Sequence, residues 1–172
     1  APGALAVALT ARNTGATALP FSAAWHPYVS LGGAPLEGLL FQLPARAWQY
    51  AVDQRLLPTL HTLPERHFQA PAPLAGHVLD DCYGVPPREG LAHSRLIDPA
   101  RGLALVLEQE TGPGRFNFVQ VYTPPHRRSL ALEPMSACVD AFNNLIGLVV
   151  LAPGAAFEAH FRLQLEAWAA PV

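Results

Sequence analysis

The chain has 172 residues, about half of them apolar, with only 14% charged and a net charge of −2. That length suits one domain with a substantial core. Lysine is absent and the arginines are scattered, which excludes the concentrated basic patch that a nucleic-acid surface needs. No apolar run approaches the roughly 18 residues of a membrane-spanning helix.

Period-two alternation dominates from the start. In ALAVALTARNTG, Leu5, Val7 and Leu9 alternate with Ala4, Ala6 and Ala8, and Asn13 to Gly15 supplies a turn. The opening APGALAVALT is too short and lacks the positive flank of a secretory signal. Short helical turns are expected only at residues 63–70 and 136–146, because 18 prolines and 13 glycines punctuate the chain too often for long helices. Residues 71–88 are proline-rich and read as a long loop wrapping the sheets. In LALVLEQE, Leu103, Leu105 and Leu107 share a face until Thr111-Gly112-Pro113-Gly114 breaks the run. FNFVQVYT puts Phe116, Phe118, Gln120 and Tyr122 on one side, and Asn117, Val119, Val121 and Thr123 on the other. In the last strand Phe157, Ala159, Phe161, Leu163 and Leu165 face inward, against Glu158, His160, Arg162, Gln164 and Glu166 outward. The pattern specifies an all-β, antiparallel sandwich in a single unit spanning residues 1–172.

Two segments carry candidate chemistry. In LALEPMSACVDAFN, Glu133 ends an apolar strand, on the face opposite Leu130 and Leu132. A carboxylate among apolar neighbours has a raised pKa, which suits a general base, although a solvated strand-end Glu fits the pattern equally well. In FSAAWHPYVSL, Pro27 forces extended backbone at His26, and the flanking aromatics Trp25 and Tyr28 offer a floor for stacking a sugar. The competing reading of His26 is a core histidine with its hydrogen bonds satisfied. Asp80-Asp81 in LDDCY reads as a paired acid and base, a metal-binding pair or a turn; adjacent residues in a strand point to opposite faces, so at most one serves a pocket. Asp140 and Asn143 read as loop or cap residues, with hydrogen bonds to a ligand as the alternative. His61, His67, His77, His93, His126 and His160 have no metal-ligand spacing, and neither do Cys82 and Cys138. The two cysteines fit buried thiols in a reducing compartment, with a single disulfide as the alternative, and cytoplasm is the expected location.

The stretches RNTGATALPFSAAWHPYVSL, FQLPARAWQY, LDDCY, FVQVYT and ALEPMSACVDAFNNLIGLVVLAPG, in this order, resemble the aldose 1-epimerase (mutarotase) family. The EPM-x-x-x-x-DAFN segment followed by GLVVLAPG is the specific part; HPY alone is weak. The resemblance implies a galactose mutarotase-like β-supersandwich that interconverts the α and β anomers of an aldose, with no cofactor and no metal. It implies that His26 is the acid at the ring oxygen and Glu133 the base at the anomeric hydroxyl. Asp80 would hold sugar hydroxyls, with Tyr28 and Gln120 as further substrate contacts. The match is to the C-terminal part of the family fold. The N-terminal strands, an arginine and a second histidine have no counterpart here, so uncovered sheet edges, self-association or a partnering segment are expected. The alternatives are a sugar-binding module without turnover and a hexose-6-phosphate mutarotase, for which Arg127 and Arg128 are the available cations.

Overall fold

Two antiparallel sheets pack through a shared apolar layer, and alternation along each strand decides which side chains enter it. The computed structural model describes residues 3–86 and 90–170. The strands are β1 (Ala4–Arg12), β2 (Leu19–Phe21), β3 (Tyr28–Val29), β4 (Leu40–Gln42), β5 (Trp48–Val52), β6 (Pro58–Pro64), β7 (Ala72–Pro73), β8 (Asp80–Gly84), β9 (Gly90–Asp98), β10 (Leu103–Thr111), β11 (Phe118–Tyr122), β12 (Leu130–Met135), β13 (Val149–Leu151) and β14 (Ala156–Ala167). One sheet runs β1-β14-β10-β9-β4-β7, the other β3-β12-β11-β8-β5-β6, and β13 pairs with β2 in a small ribbon. A 3-10 turn at Leu36–Gly38 and a one-turn helix α1 (Ala141–Asn144) complete the described elements.

The shared core draws Leu96, Leu107, Phe157, Ala159 and Phe161 from the first sheet and Val119, Val121, Leu130 and Leu132 from the second. Burying each of the larger side chains is worth about 1.5–3 kcal/mol. On β12 this decides everything else. A one-residue slip would send Glu133 into the core and Leu132 out, so the apolar pair fixes the outward face of the strand.

Several expectations need correction. Residues 63–70 are not helical: β6 runs to Pro64, and the Glu65 carboxylate then accepts the N–H groups of His67 and Phe68, at 2.5 and 2.8 Å, to hold a turn. The second helical expectation, 136–146, contains α1. The supposed loop 71–88 contains β7 and β8, and β8 is an interior strand of the second sheet. Its prolines cluster at the ends and leave LDDCYG free to pair with β11 and β5. The part of that stretch at 87–88 lies outside the described residues. Phe116 does not share a face with Phe118: it precedes β11 and packs in the shared core against Phe157 and Phe161, whereas Phe118 faces the other way, among Tyr50, Cys82 and Met135. Leu165 carries the inward alternation of β14 but is 52% exposed, as Leu5 and Leu103 nearby are partly exposed; this end of the first sheet bears an uncovered apolar face.

Gly84 on β8 has the Trp48 indole directly over its Cα, where a Cβ would come within 2.2 Å of the ring. Gly84→Ala is expected to lower stability by about 1–3 kcal/mol through overpacking, read as a reduced denaturation midpoint at unchanged m-value. An unshifted midpoint would contradict this packing.

Candidate functional site

Cross-strand register sets out the site in two rows on the outward face of the second sheet. One row is Tyr28, Ala131, Tyr122 and Asp80, partners across β3, β12, β11 and β8. The next contains Glu133, Gln120 and Cys82. The segment before β3 follows the edge of β12 without forming a regular ladder, because Pro27 has no N–H to donate. An isolated bridge joins Ala24 to Met135, the Trp25 N–H donates to the Pro134 carbonyl at 3.2 Å, and Ala23 is tied to Ser136 at 2.8 Å. Carrying the register of Ala24 and Tyr28 through this gap sets His26 opposite Glu133.

The two side chains meet: His26 Nε2 lies 3.1 Å from Glu133 Oε1. His26 is about half exposed, whereas the Glu133 side chain retains only 9% of its exposure. His26 is therefore not a core histidine, and Glu133 is not a solvated strand end. A depression of about 460 Å³ is lined by this pair with Tyr28, Asp80, Gln120, Tyr122, Met135 and Val139. The Tyr28 ring lies beside the imidazole, with centroids 5.1 Å apart. Trp25 does not contribute to this floor. Alternation turns it to the opposite side, where it stacks on Phe161 in the shared core.

Gln120 Nε2 donates to Asp80 Oδ1 at 2.8 Å, which orients both side chains. The Gln120 Oε1 is buried and, among the described residues, receives no hydrogen bond. Asp81 points to the other face and accepts from Gln49 Nε2, as strand alternation requires. Asp140 and Asn143 hydrogen-bond each other at 2.5 Å beside α1 and do not line the depression. Arg127 commits its guanidinium to the carbonyls of His77 and Leu74, at 2.7 and 2.9 Å, and to Glu37. Neither Arg127 nor Arg128 lines the depression. Tyr122, Met135 and Val139 were not singled out from sequence; Tyr122 shares the Gln120 alternation and was recoverable from it, whereas Val139 lies in an irregular loop that carries no such signal. Among the described residues, His, Cys, Asp and Glu form no group of three or more arranged to hold a metal ion, and no helix is long and apolar enough to cross a membrane.

Burial pushes the Glu133 carboxyl above its ordinary value of 4.5; the His26 imidazole pulls it down and the neighbouring Asp80 carboxylate pushes it up. A carboxyl held near a proton donor, with its basicity increased by burial, can take a hydroxyl proton. The imidazole beside it can deliver one.

The family model described as aldose 1-epimerase matches residues 2–164. The chain belongs to the aldose 1-epimerase family. It is 30% identical over 164 residues to the uncharacterised protein YihR of Escherichia coli K12, a match covering 92% of this chain and 51% of that protein. A putative aldose 1-epimerase from Escherichia coli K12 superposes with a TM-score of 0.72 at 25% identity, covering 96% of this chain and 57% of the other. A galactose mutarotase-like protein from Clostridium acetobutylicum has the same fold, with a TM-score of 0.80 at 13% identity over 94% of this chain and 52% of that one. The fold is thus the antiparallel, galactose mutarotase-like one that the sequence implied, and the chain spans about half the length of these relatives.

The charge environment gives a test. In carboxyl-carbon NMR titrations the Glu133 midpoint is expected above 4.5 in the native chain, lower in Asp80→Asn and higher in His26→Asn. The folded chain binds this proton more tightly than the unfolded chain, so the contribution of Glu133 to stability falls as pH rises from 4.5 through the folded midpoint. A midpoint indifferent to both substitutions would contradict the coupling.

Proposed function

We propose that this chain is an aldose 1-epimerase-type isomerase whose acid is His26 and whose base is Glu133. The observation that supports this reading most strongly is the 3.1 Å contact between an exposed imidazole and a buried carboxylate in one depression. In the proposed cycle the Glu133 carboxylate removes the proton of the anomeric hydroxyl while the His26 imidazolium protonates the ring oxygen. The bond from the anomeric carbon to the ring oxygen breaks and the carbonyl forms. Rotation about the first carbon–carbon bond presents the other carbonyl face. The ring hydroxyl then adds to it, returning its proton to His26, while Glu133 returns a proton to the carbonyl oxygen. Both side chains finish as they began, and no electrons leave the sugar.

Asp80 and Gln120, oriented by their own hydrogen bond, are the proposed hydroxyl contacts, and Tyr28 is the apolar surface for the sugar's carbon face. In this reading the chain corresponds to the C-terminal portion of the family fold and carries both proton-transferring groups. The phosphorylated-hexose alternative draws no support, because Arg127 is held by backbone carbonyls and Glu37. The openness of the depression, with Tyr28 54% exposed, is the one feature that favours a sugar-binding module without turnover.

Magnetisation exchange between the two anomeric protons of an aldose separates these readings. The native chain is expected to accelerate exchange, and Glu133→Gln or His26→Gln to lower the rate by about 10²–10⁴-fold while aldose affinity changes far less. Full turnover in Glu133→Gln would refute the base; binding without acceleration by the native chain would favour the module.

A further inference from the structure

Cys82 and Cys138 lie 56 residues apart in sequence, yet their sulfurs are 3.4 Å apart and both thiols are free. Cys82 is the β8 partner of Gln120, in the same row as Glu133. Cys138 immediately precedes Val139, which lines the depression, and its N–H is fixed to the Ile146 carbonyl at 3.0 Å. Tyr50, Phe118 and Met135 close around the pair, with Trp48 and Ile146 packed behind. This wall is apolar; the thiols hydrogen-bond each other, and the Val139 N–H also reaches both sulfurs. The hydrogen bond with Cys138, together with burial, pushes the Cys82 thiol far above its ordinary value, and the same hydrogen bond draws Cys138 below its own. Two free thiols in contact beneath the depression are placed to be joined by oxidation.

We propose that Cys82 and Cys138 form an oxidation site at which hydrogen peroxide closes an intramolecular disulfide beneath the sugar depression. The Cys138 thiolate attacks one peroxide oxygen. The O–O bond breaks, giving Cys138 sulfenic acid and a hydroxide that is protonated to water. The Cys82 sulfur then attacks the sulfenic sulfur; the S–O bond breaks, the S–S bond forms, and the hydroxyl leaves as water with the Cys82 proton. Together the two thiols lose two electrons and two protons, and one peroxide becomes two waters. Bringing the sulfurs from 3.4 Å to a bond of about 2.05 Å takes a movement of little more than about 1 Å, and the 136–140 loop joins β12 to α1 outside the regular ladder. Both thiols are buried, and Cys138 is the one on the loop that borders the depression, next to Val139.

The test is intact-mass and peptide mapping of the full chain after treatment with hydrogen peroxide. The expected product has lost two hydrogens, has no titratable thiol when unfolded, yields a Cys82–Cys138 cross-linked peptide, and is restored by dithiothreitol. Cys82→Ser is expected to stop at a Cys138 sulfenic acid that dimedone traps. Cys138→Ala, which removes the partner sulfur, is expected to give no cross-linked peptide under the same treatment. Two titratable thiols after peroxide treatment of the native chain, or stepwise oxidation to sulfinic acid without a cross-link, would overturn the proposal. None of these readouts involves a sugar, so the result stands apart from the fate of the epimerase reading.

Discussion

The site depends on the burial of Leu130 and Leu132. Those two side chains anchor β12 in the shared core, and strand alternation then leaves Glu133 nowhere to point except the outward face. Everything else at the site is register: β11 brings Gln120 and Tyr122 alongside, β8 brings Asp80, and the interrupted strand around Pro27 brings His26 to the opposite edge. The hydrophobic core thus positions the polar chemistry at a distance of one peptide, through the period of the backbone rather than through contact.

That arrangement has an electrostatic consequence. The face bearing Glu133 is itself covered, by the edge segment before β3 and by the loop after Met135, so the carboxylate is desolvated although it points away from the core. An isolated charge so placed would be costly, and the His26 imidazole offsets part of that cost while remaining half exposed to solvent. Asp80 works in the opposite sense, keeping the carboxyl basic. A partly desolvated carboxylate held beside a second one is the kind of perturbation that the proposed proton transfer would use.

Much of this was legible in the sequence because β14 alternates through Phe161, and because the motif around Glu133 is specific. The opposition of Asp80 and Asp81 followed from strand geometry alone. Other features were hidden by their local context. The prolines flanking β8 disguised an interior strand as a loop. Trp25 and Tyr28 looked equivalent as aromatics near His26, and only the path of the chain along β12 sends one to the core and the other to the depression. Phe116 matched the period of β11 but lies before the strand begins. The contact between Cys82 and Cys138 carries no sequence signal, since it arises from how a loop folds back over β8.

The central claim is that a sugar occupies the space governed by His26 and Glu133, and the imidazole nitrogens report on that most directly. In ¹⁵N-edited NMR, the His26 Nε2 resonance should bear the signature of its hydrogen bond to Glu133 and shift on addition of an aldose, with the ring nitrogens of His61, His93 and His126 unmoved. Saturating aldose that leaves the His26 nitrogens unchanged would contradict the account.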